Sequence, residues 1–176
     1  VAKGYLEMVA NDHAGEVAQA AKEYLCVAGE NLEQLEKIIG DLLDISRLEA
    51  GRLPIEPQPV PLRKLVNSAL QATAQAMQTK GFQVREDVPA DLPLVQADPF
   101  RIGQVLTNLL TNALKYTPRG GAIGIFAEPL PNEVLMRISD TGRGIPPDRL
   151  EAIFDKFYQI HRDEDGDMVG VGLGLS

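Results

Sequence analysis

Apolar residues return every three or four positions through the first third of the chain, and then the rhythm changes. Between residues 17 and 50 they fall at Ala28, Leu32, Leu35, Ile39 and Leu42, while Ile38, Leu43, Ile45 and Leu48 widen the stripe. Alternating steps of four and three keep one face of a helix apolar, and a stripe this wide predicts a helix packed in a bundle. Gly51 is placed to end it, because glycine enters the left-handed conformation of a helix terminus at little cost. Ahead of it, "VAKGYLEMVAN" (1–11) predicts the end of a preceding helix, with "DHAGE" as the turn between the two.

"RLPIEPQPVPL" then brings prolines at 54, 57, 59 and 61. That spacing predicts extended chain and a boundary, so residues 1–50 and 62–176 are expected to be separate domains joined by a 51–61 linker. Beyond it, helical and alternating patterns interleave. Residues 62–80 predict a helix, "FQVRED" and "LPLVQA" short strands, and 99–116 a helix with Asp98 as N-cap and Pro99 at its first position. "AIGIFAE" and "EVLMRISD" predict a hairpin across "PLPN", and 147–155 a short helix. The fold class expected is α+β: a long-helix bundle segment followed by an α/β sandwich.

Composition removes several functions. The 176 residues carry 25 acidic and 17 basic side chains, a net charge of −8, which argues against a general nucleic-acid surface. Cys26 is the single cysteine and has no internal partner, which fits a reducing, cytoplasmic compartment. No apolar run is long enough to span a bilayer and no signal peptide opens the chain. His13, His161 and Cys26 are too few and too scattered for a zinc site.

Three short stretches carry the candidate chemistry. The first is "NLLTNALKY" (108–116). At about 100° per residue, Ile102, Val105, Leu106, Leu109, Leu110 and Ala113 share one face, and Gln104, Asn108, Asn112 and Lys115 form a polar strip beside it, with Tyr116 at the boundary. Asparagine is a mediocre helix former, so two of them four residues apart ask for a reason. An amide oxygen is a hard ligand suited to Mg²⁺, a lysine one turn on can meet phosphate, and a tyrosine offers a ring face to a base. The second is "DTGRGI" (140–145), where Asp140 ends an apolar strand and two glycines follow. Its carboxylate can accept from an exocyclic amine, and Gly142 and Gly144 admit a flat ligand close to the backbone. The third is "GVGLGLS" (170–176), a loop able to turn backbone N–H groups toward an anion. Its glycine spacing matches neither the P-loop nor the dinucleotide fingerprint. Taken singly, these read equally well as a helix edge, a turn and a flexible loop.

Taken in order, with "FDKFY" (154–158) before the glycine loop, they resemble the ATP-binding domain of sensor histidine kinases. "DLLDISRLEAGRL" is similar to the second helix of that family's dimerisation and phosphotransfer domain, and "GYLEMV" to the tail of its first. The resemblance implies ATP and Mg²⁺ as cofactors. It implies Asn112 as the Mg²⁺ ligand, Asn108 and Lys115 near the phosphates, and Tyr116 against the nucleotide. Asp140 would read the adenine amine, with Gly142, Gly144 and Ile145 lining the base pocket. Phe154 and Phe157 would anchor a lid in which Gly170, Gly172, Leu173 and Gly174 wrap the phosphates, and Arg162 would supply a basic group. Partners implied are a second copy through the 17–50 helix and a response regulator receiver domain, with any membrane attachment through other parts of a parent protein.

The family's phosphoacceptor lies in a His-Glu-x-x-x-Pro box on its first helix, expected here before Gly4. His13 sits in the expected turn and "HAGEV" does not match the box, and His161 lies in the lid, so no catalytic acceptor is assigned within the chain. On the resemblance, the chain is expected to lack both the start of helix 1 and the C-terminal end of the ATP-binding domain. Two other readings stand beside the kinase. Related hydrolytic ATPases carry a glutamate base on the helix before the Mg²⁺-binding asparagine, where this chain has Asn108, which is no useful proton acceptor. A non-catalytic, nucleotide-binding dimerisation scaffold is the third.

Overall fold

A computed structural model describes residues 2–10, 18–159 and 172–175 of the chain, which divides into two units, Val1–Leu53 and Pro54–Ser176. "DHAGE", and His13 with it, lies outside the described residues.

The first unit is a helical pair, α1 (Ala2–Ala10) and α2 (Gln19–Glu49). Lys3 bridges to Glu33 at 2.6 Å, an exposed ion pair that fixes little by itself. Ala28 and Leu32 are half-buried, whereas Leu35, Ile39, Leu42, Leu43 and Leu48 are exposed, and no residue of α2 is fully buried. The helix closes as its sequence predicts. Gly51 takes φ 65°, its N–H donates to the Leu48 carbonyl at 3.0 Å, and the Arg52 N–H donates to the Arg47 carbonyl at 2.8 Å.

The second unit builds its own core. β1 (Gln58–Val60) pairs antiparallel with β3 (Val95–Ala97), and β2 (Gln83–Asp87), β4 (Ala122–Pro129) and β5 (Val134–Asp140) form a second sheet in the order β2-β4-β5. β4 runs parallel to β2 and antiparallel to β5. Helices α3 (Leu62–Lys80) and α4 (Pro99–Tyr116) supply the other layer. Ile123, Ile125 and Ala127 alternate along β4 and meet Val66, Ala69 and Met77 of α3 and Leu106, Leu110, Ala113 and Leu114 of α4. Each fully buried aliphatic side chain there contributes about 1.5–3 kcal/mol. The α+β class and the α/β sandwich stand as the sequence predicts.

Three local expectations are corrected. The proline-rich stretch contributes strand β1, with Pro59 tolerated because β1 is an edge strand. Residues 147–155 form two single 3₁₀ turns, Pro147–Arg149 and Ala152–Phe154, because Pro146 and Pro147 offer no N–H and the stretch is too short to propagate an α-helix. Val105 is half-exposed, so the buried stripe of α4 runs through Leu106, Leu110, Ala113 and Leu114.

Candidate functional site

Both ends of α4 are tied down, and this holds its polar edge in place. At the start, Asp98 Oδ1 accepts from the N–H groups of Phe100 (2.9 Å) and Arg101 (3.2 Å), and Oδ2 accepts from the Glu56 N–H at 3.1 Å. The Glu56 amide, with the two helix amides and the Arg101 charge adding, holds this carboxyl below the usual carboxylate range. At the other end, Lys80 Nζ donates to the Leu114 carbonyl at 2.7 Å and the Thr117 N–H to the Ala113 carbonyl at 3.0 Å.

Asn108 and Asn112 are half-buried on that edge, and Gln104 Oε1 accepts from Arg101 Nη1 at 3.1 Å. Tyr116 is bracketed by charge. The Lys115 ammonium lies 4.9 Å and the Arg143 guanidinium carbon 4.8 Å from its ring centroid. The Arg143 N–H donates to the Tyr116 carbonyl at 3.4 Å, which clips the "DTGRGI" loop to the end of α4.

Asp140 stands exposed at the end of β5, and its Oδ1 accepts from the Gly142 N–H at 2.8 Å, which leaves Oδ2 for an incoming donor. Gly142 is needed for space: a Cβ there would lie 2.6 Å from Asp140 Oδ1 and 2.7 Å from the Tyr116 carbonyl oxygen. Between helix end and loop opens a cleft of about 400 Å³, lined by Lys115, Tyr116, Thr117, Pro118, Thr141, Gly142 and Arg143. Gly144, at φ 69°, and the half-exposed Ile145 lie farther along the loop and are not in that lining.

The glycine loop reaches the amide strip. The Phe157 N–H donates to the Gly172 carbonyl at 2.9 Å. Gly172 has φ 74°, and a Cβ on it would lie 2.6 Å from the Tyr158 carbonyl oxygen, so both conformation and space demand glycine. A Cβ on Gly174 would stand 3.9 Å from Asn108 Cγ, which brings the first and third sequence stretches together. Phe154 and Phe157 are 60% and 58% exposed, and the buried side chain is Leu173 at 7%. The Phe157–Gly172 backbone bond and the buried Leu173 side chain hold the segment. Arg162 and Gly170 lie outside the described residues.

Several residues at or near the site went unassigned in the sequence. Thr117, Thr141 and Arg143 line the cleft, and the Tyr158 hydroxyl accepts from Arg149 Nη1 at 3.0 Å. That bond, ahead of the nearby Asp148 charge, raises the Arg149 pKa. Arg143 lies inside the quoted "DTGRGI", so a basic side chain between its two glycines was the available signal.

Among the described residues no three His, Cys, Asp or Glu side chains converge as a metal site. The donors on the α4 edge are the neutral amide oxygens of Asn108 and Asn112. Such a set suits a hard cation that arrives with phosphate oxygens and water completing its shell, as Mg²⁺ does with nucleotides.

Comparison with known proteins follows the same lines. Residues 97–176 match the family described as histidine kinase-, DNA gyrase B-, and HSP90-like ATPase. The adaptive-response sensory kinase SasA of Synechococcus elongatus is 40% identical over 149 residues, covering 84% of this chain and 38% of the relative. The chain thus spans about two fifths of the length of the curated relatives it matches. Among solved structures, full-length ShkA in complex with AMPPNP is similar at 27% identity and a TM-score of 0.77, over 98% of this chain and 36% of that one. Histidine kinase ThkA in complex with the response regulator protein TrrA is similar at 25% identity and a TM-score of 0.67, over 89% of this chain and 46% of that one.

Proposed function

We propose that the chain is the catalytic core of a sensor histidine kinase that binds ATP with Mg²⁺, a reading supported by the match of residues 97–176 to the histidine kinase-, DNA gyrase B-, and HSP90-like ATPase family. The observation that carries this reading is the convergence of the glycine loop on Asn108, beside a cleft that joins the end of α4 to the Asp140 loop.

The roles follow from chemistry. Asp140 Oδ2 accepts from the adenine amine, while Oδ1 stays with its own loop. Gly142, Gly144 and Ile145 give the base a close, flat approach. Tyr116 lies against the nucleotide, held by the cations on its ring. Lys115 and the backbone of Gly172, Leu173 and Gly174 face the phosphates, and the family resemblance assigns Gly170 and Arg162 to the same task. Asn112 presents its amide oxygen to the magnesium, with Asn108 alongside. When bound, that cation draws off charge developing on the transferred phosphoryl group. Positioning and electrostatics supply most of the rate in such transfers, so no nucleophilic side chain is required of this domain. Asn108 in the place of a glutamate base favours transfer over hydrolysis.

For partners, we propose a second copy of the chain through α2 and a response regulator receiver domain downstream. The exposed stripe Leu35, Ile39, Leu42 and Leu48 supports the first, and the ThkA–TrrA complex the second. No helix among the described residues is long and apolar enough to cross a membrane.

The test is base selectivity. The chain should bind ATP in preference to GTP, and Asp140→Asn should erase the preference at a cost of about 1.5–3 kcal/mol in ATP affinity, the range for a hydrogen bond to a charged group. Asp140→Asn protein that folds normally and keeps its ATP preference removes Asp140 from the base pocket.

A further inference from the structure

We propose that Arg149 is a positioning residue for the glycine loop, holding Tyr158 so that Gly172 closes on Phe157 and Gly174 stands at Asn108. The inference rests on the nucleotide reading above and deepens it, because that loop is the part assigned to the phosphates.

The stretch leading to the glycine loop is not fixed by deep burial. Pro146 and Pro147 donate no backbone hydrogen bonds, and residues 147–155 form two single 3₁₀ turns. Leu150, Phe154 and Phe157 are each at least half exposed. Polar contacts matter more in such a segment. Arg149 Nη1 donates to the Tyr158 hydroxyl at 3.0 Å, and Arg149 Nε lies 3.0 Å from Asp148 Oδ2. Two edges of one planar guanidinium serve the two partners at once, so the first 3₁₀ turn is joined to the residue that follows Phe157.

The far side of that contact is strained. Phe157 has φ 63°, a conformation that a bulky side chain keeps only where its surroundings impose it. The surroundings do so from both sides. The Phe157 N–H donates to the Gly172 carbonyl at 2.9 Å, the Tyr158 N–H donates to the Asp155 carbonyl at 3.2 Å, and the Tyr158 phenol is held by Arg149. Gly172 sits so close to this pair that a Cβ would lie 2.6 Å from the Tyr158 carbonyl oxygen and 2.8 Å from the Phe157 carbonyl carbon. A relaxation at Phe157 and Tyr158 therefore moves the seat of Gly172. With it moves Gly174, where a Cβ would stand 3.9 Å from Asn108 Cγ. An exposed charged hydrogen bond fixes little by itself. Here it acts on a strained pair, so a modest bias changes how often the loop is seated. A ligand that needs the seated loop then binds more weakly, in proportion to the seated fraction lost.

The experiment compares the full chain in wild type, Arg149→Gln, Tyr158→Phe and the double variant. Without nucleotide, hydrogen exchange at the Phe157 amide reports the seating of Gly172. Exchange should speed up roughly two- to fivefold in each single variant, the scale of one exposed charged hydrogen bond, and no further in the double. ATP affinity should fall by a similar factor while adenosine affinity holds. Arg149→Lys, which keeps a donor for the phenol, should recover part of both losses. An Arg149→Gln amide that exchanges at the wild-type rate, losses that add in the double variant, an equal loss for adenosine and ATP, or no recovery with lysine overturns the proposal. The two readings fail separately. Arg149-dependent protection in a wild type that binds no ATP supports the positioning role while the nucleotide reading falls. ATP binding with protection indifferent to Arg149 removes the positioning role alone.

Discussion

Helices α2 and α4 carry similar leucine stripes and use them in opposite ways. α4 places Leu106, Leu110, Ala113 and Leu114 on the sheet and is buried along that line by residues of its own unit. α2 runs 31 residues with none fully buried, and Leu35, Ile39 and Leu42 stay at least half exposed. An amphipathic pattern therefore says that a face needs cover but not whether the same chain supplies it. The polar edges differ too. α4 spends its edge on two asparagine amides, residues that do little for the helix.

The sharpest way to break this contrast is the same truncation on each helix. Leu110→Ala should cost about 2–5 kcal/mol in denaturant unfolding of the Pro54–Ser176 unit, the range for a buried leucine. Leu42→Ala in dilute protein should cost under about 1 kcal/mol, since little surrounds it to form a cavity. Comparable losses at both sites would mean that α2 is covered within one chain.

A smaller effect on stability, but a clear one on assembly, is expected from Ile39→Glu. A charge in the exposed stripe should abolish self-association in sedimentation while leaving the melting of the second unit unchanged. Wild-type protein that stays monomeric at high concentration removes the second-copy proposal.

The smallest effect concerns the cap that anchors α4. The folded Asp98 carboxyl has its pKa lowered, so its charge adds stability above the unfolded pKa of about 3.9. That contribution is lost as pH falls through the lower folded value. Asp98→Asn keeps a capping oxygen and loses the charge. Its melting temperature should fall slightly below wild type at neutral pH, and the gap should close under acid. A gap that persists below the folded pKa would show that the charge is not what Asp98 contributes.

Much of this was legible in the sequence, for identifiable reasons. α3 and α4 were readable to the residue because their stripes are periodic and Asp98–Pro99 and Gly81 punctuate their ends. β1 was hidden because a three-residue edge strand inside a proline run has no period to read. The site was legible as motifs but not as contacts. That Gly174 faces Asn108, and that Arg143 sits on Tyr116, depends on packing across distant segments, which local spacing does not encode. The backbone bond at Gly172 and the burial of Leu173 were likewise out of reach, because both depend on packing between segments and not on residue type.

The central claim is that the amides of α4 are kept for a metal-bound nucleotide at the helix's expense. Asn112→Ala tests it directly, with ATP affinity measured with and without Mg²⁺ alongside thermal melting. Alanine is the better helix former by about 0.5 kcal/mol, so the variant should melt at or slightly above the wild-type temperature. Its ATP binding should no longer respond to Mg²⁺. A variant that keeps the full Mg²⁺ dependence, or that loses binding only because it unfolds, would contradict the account.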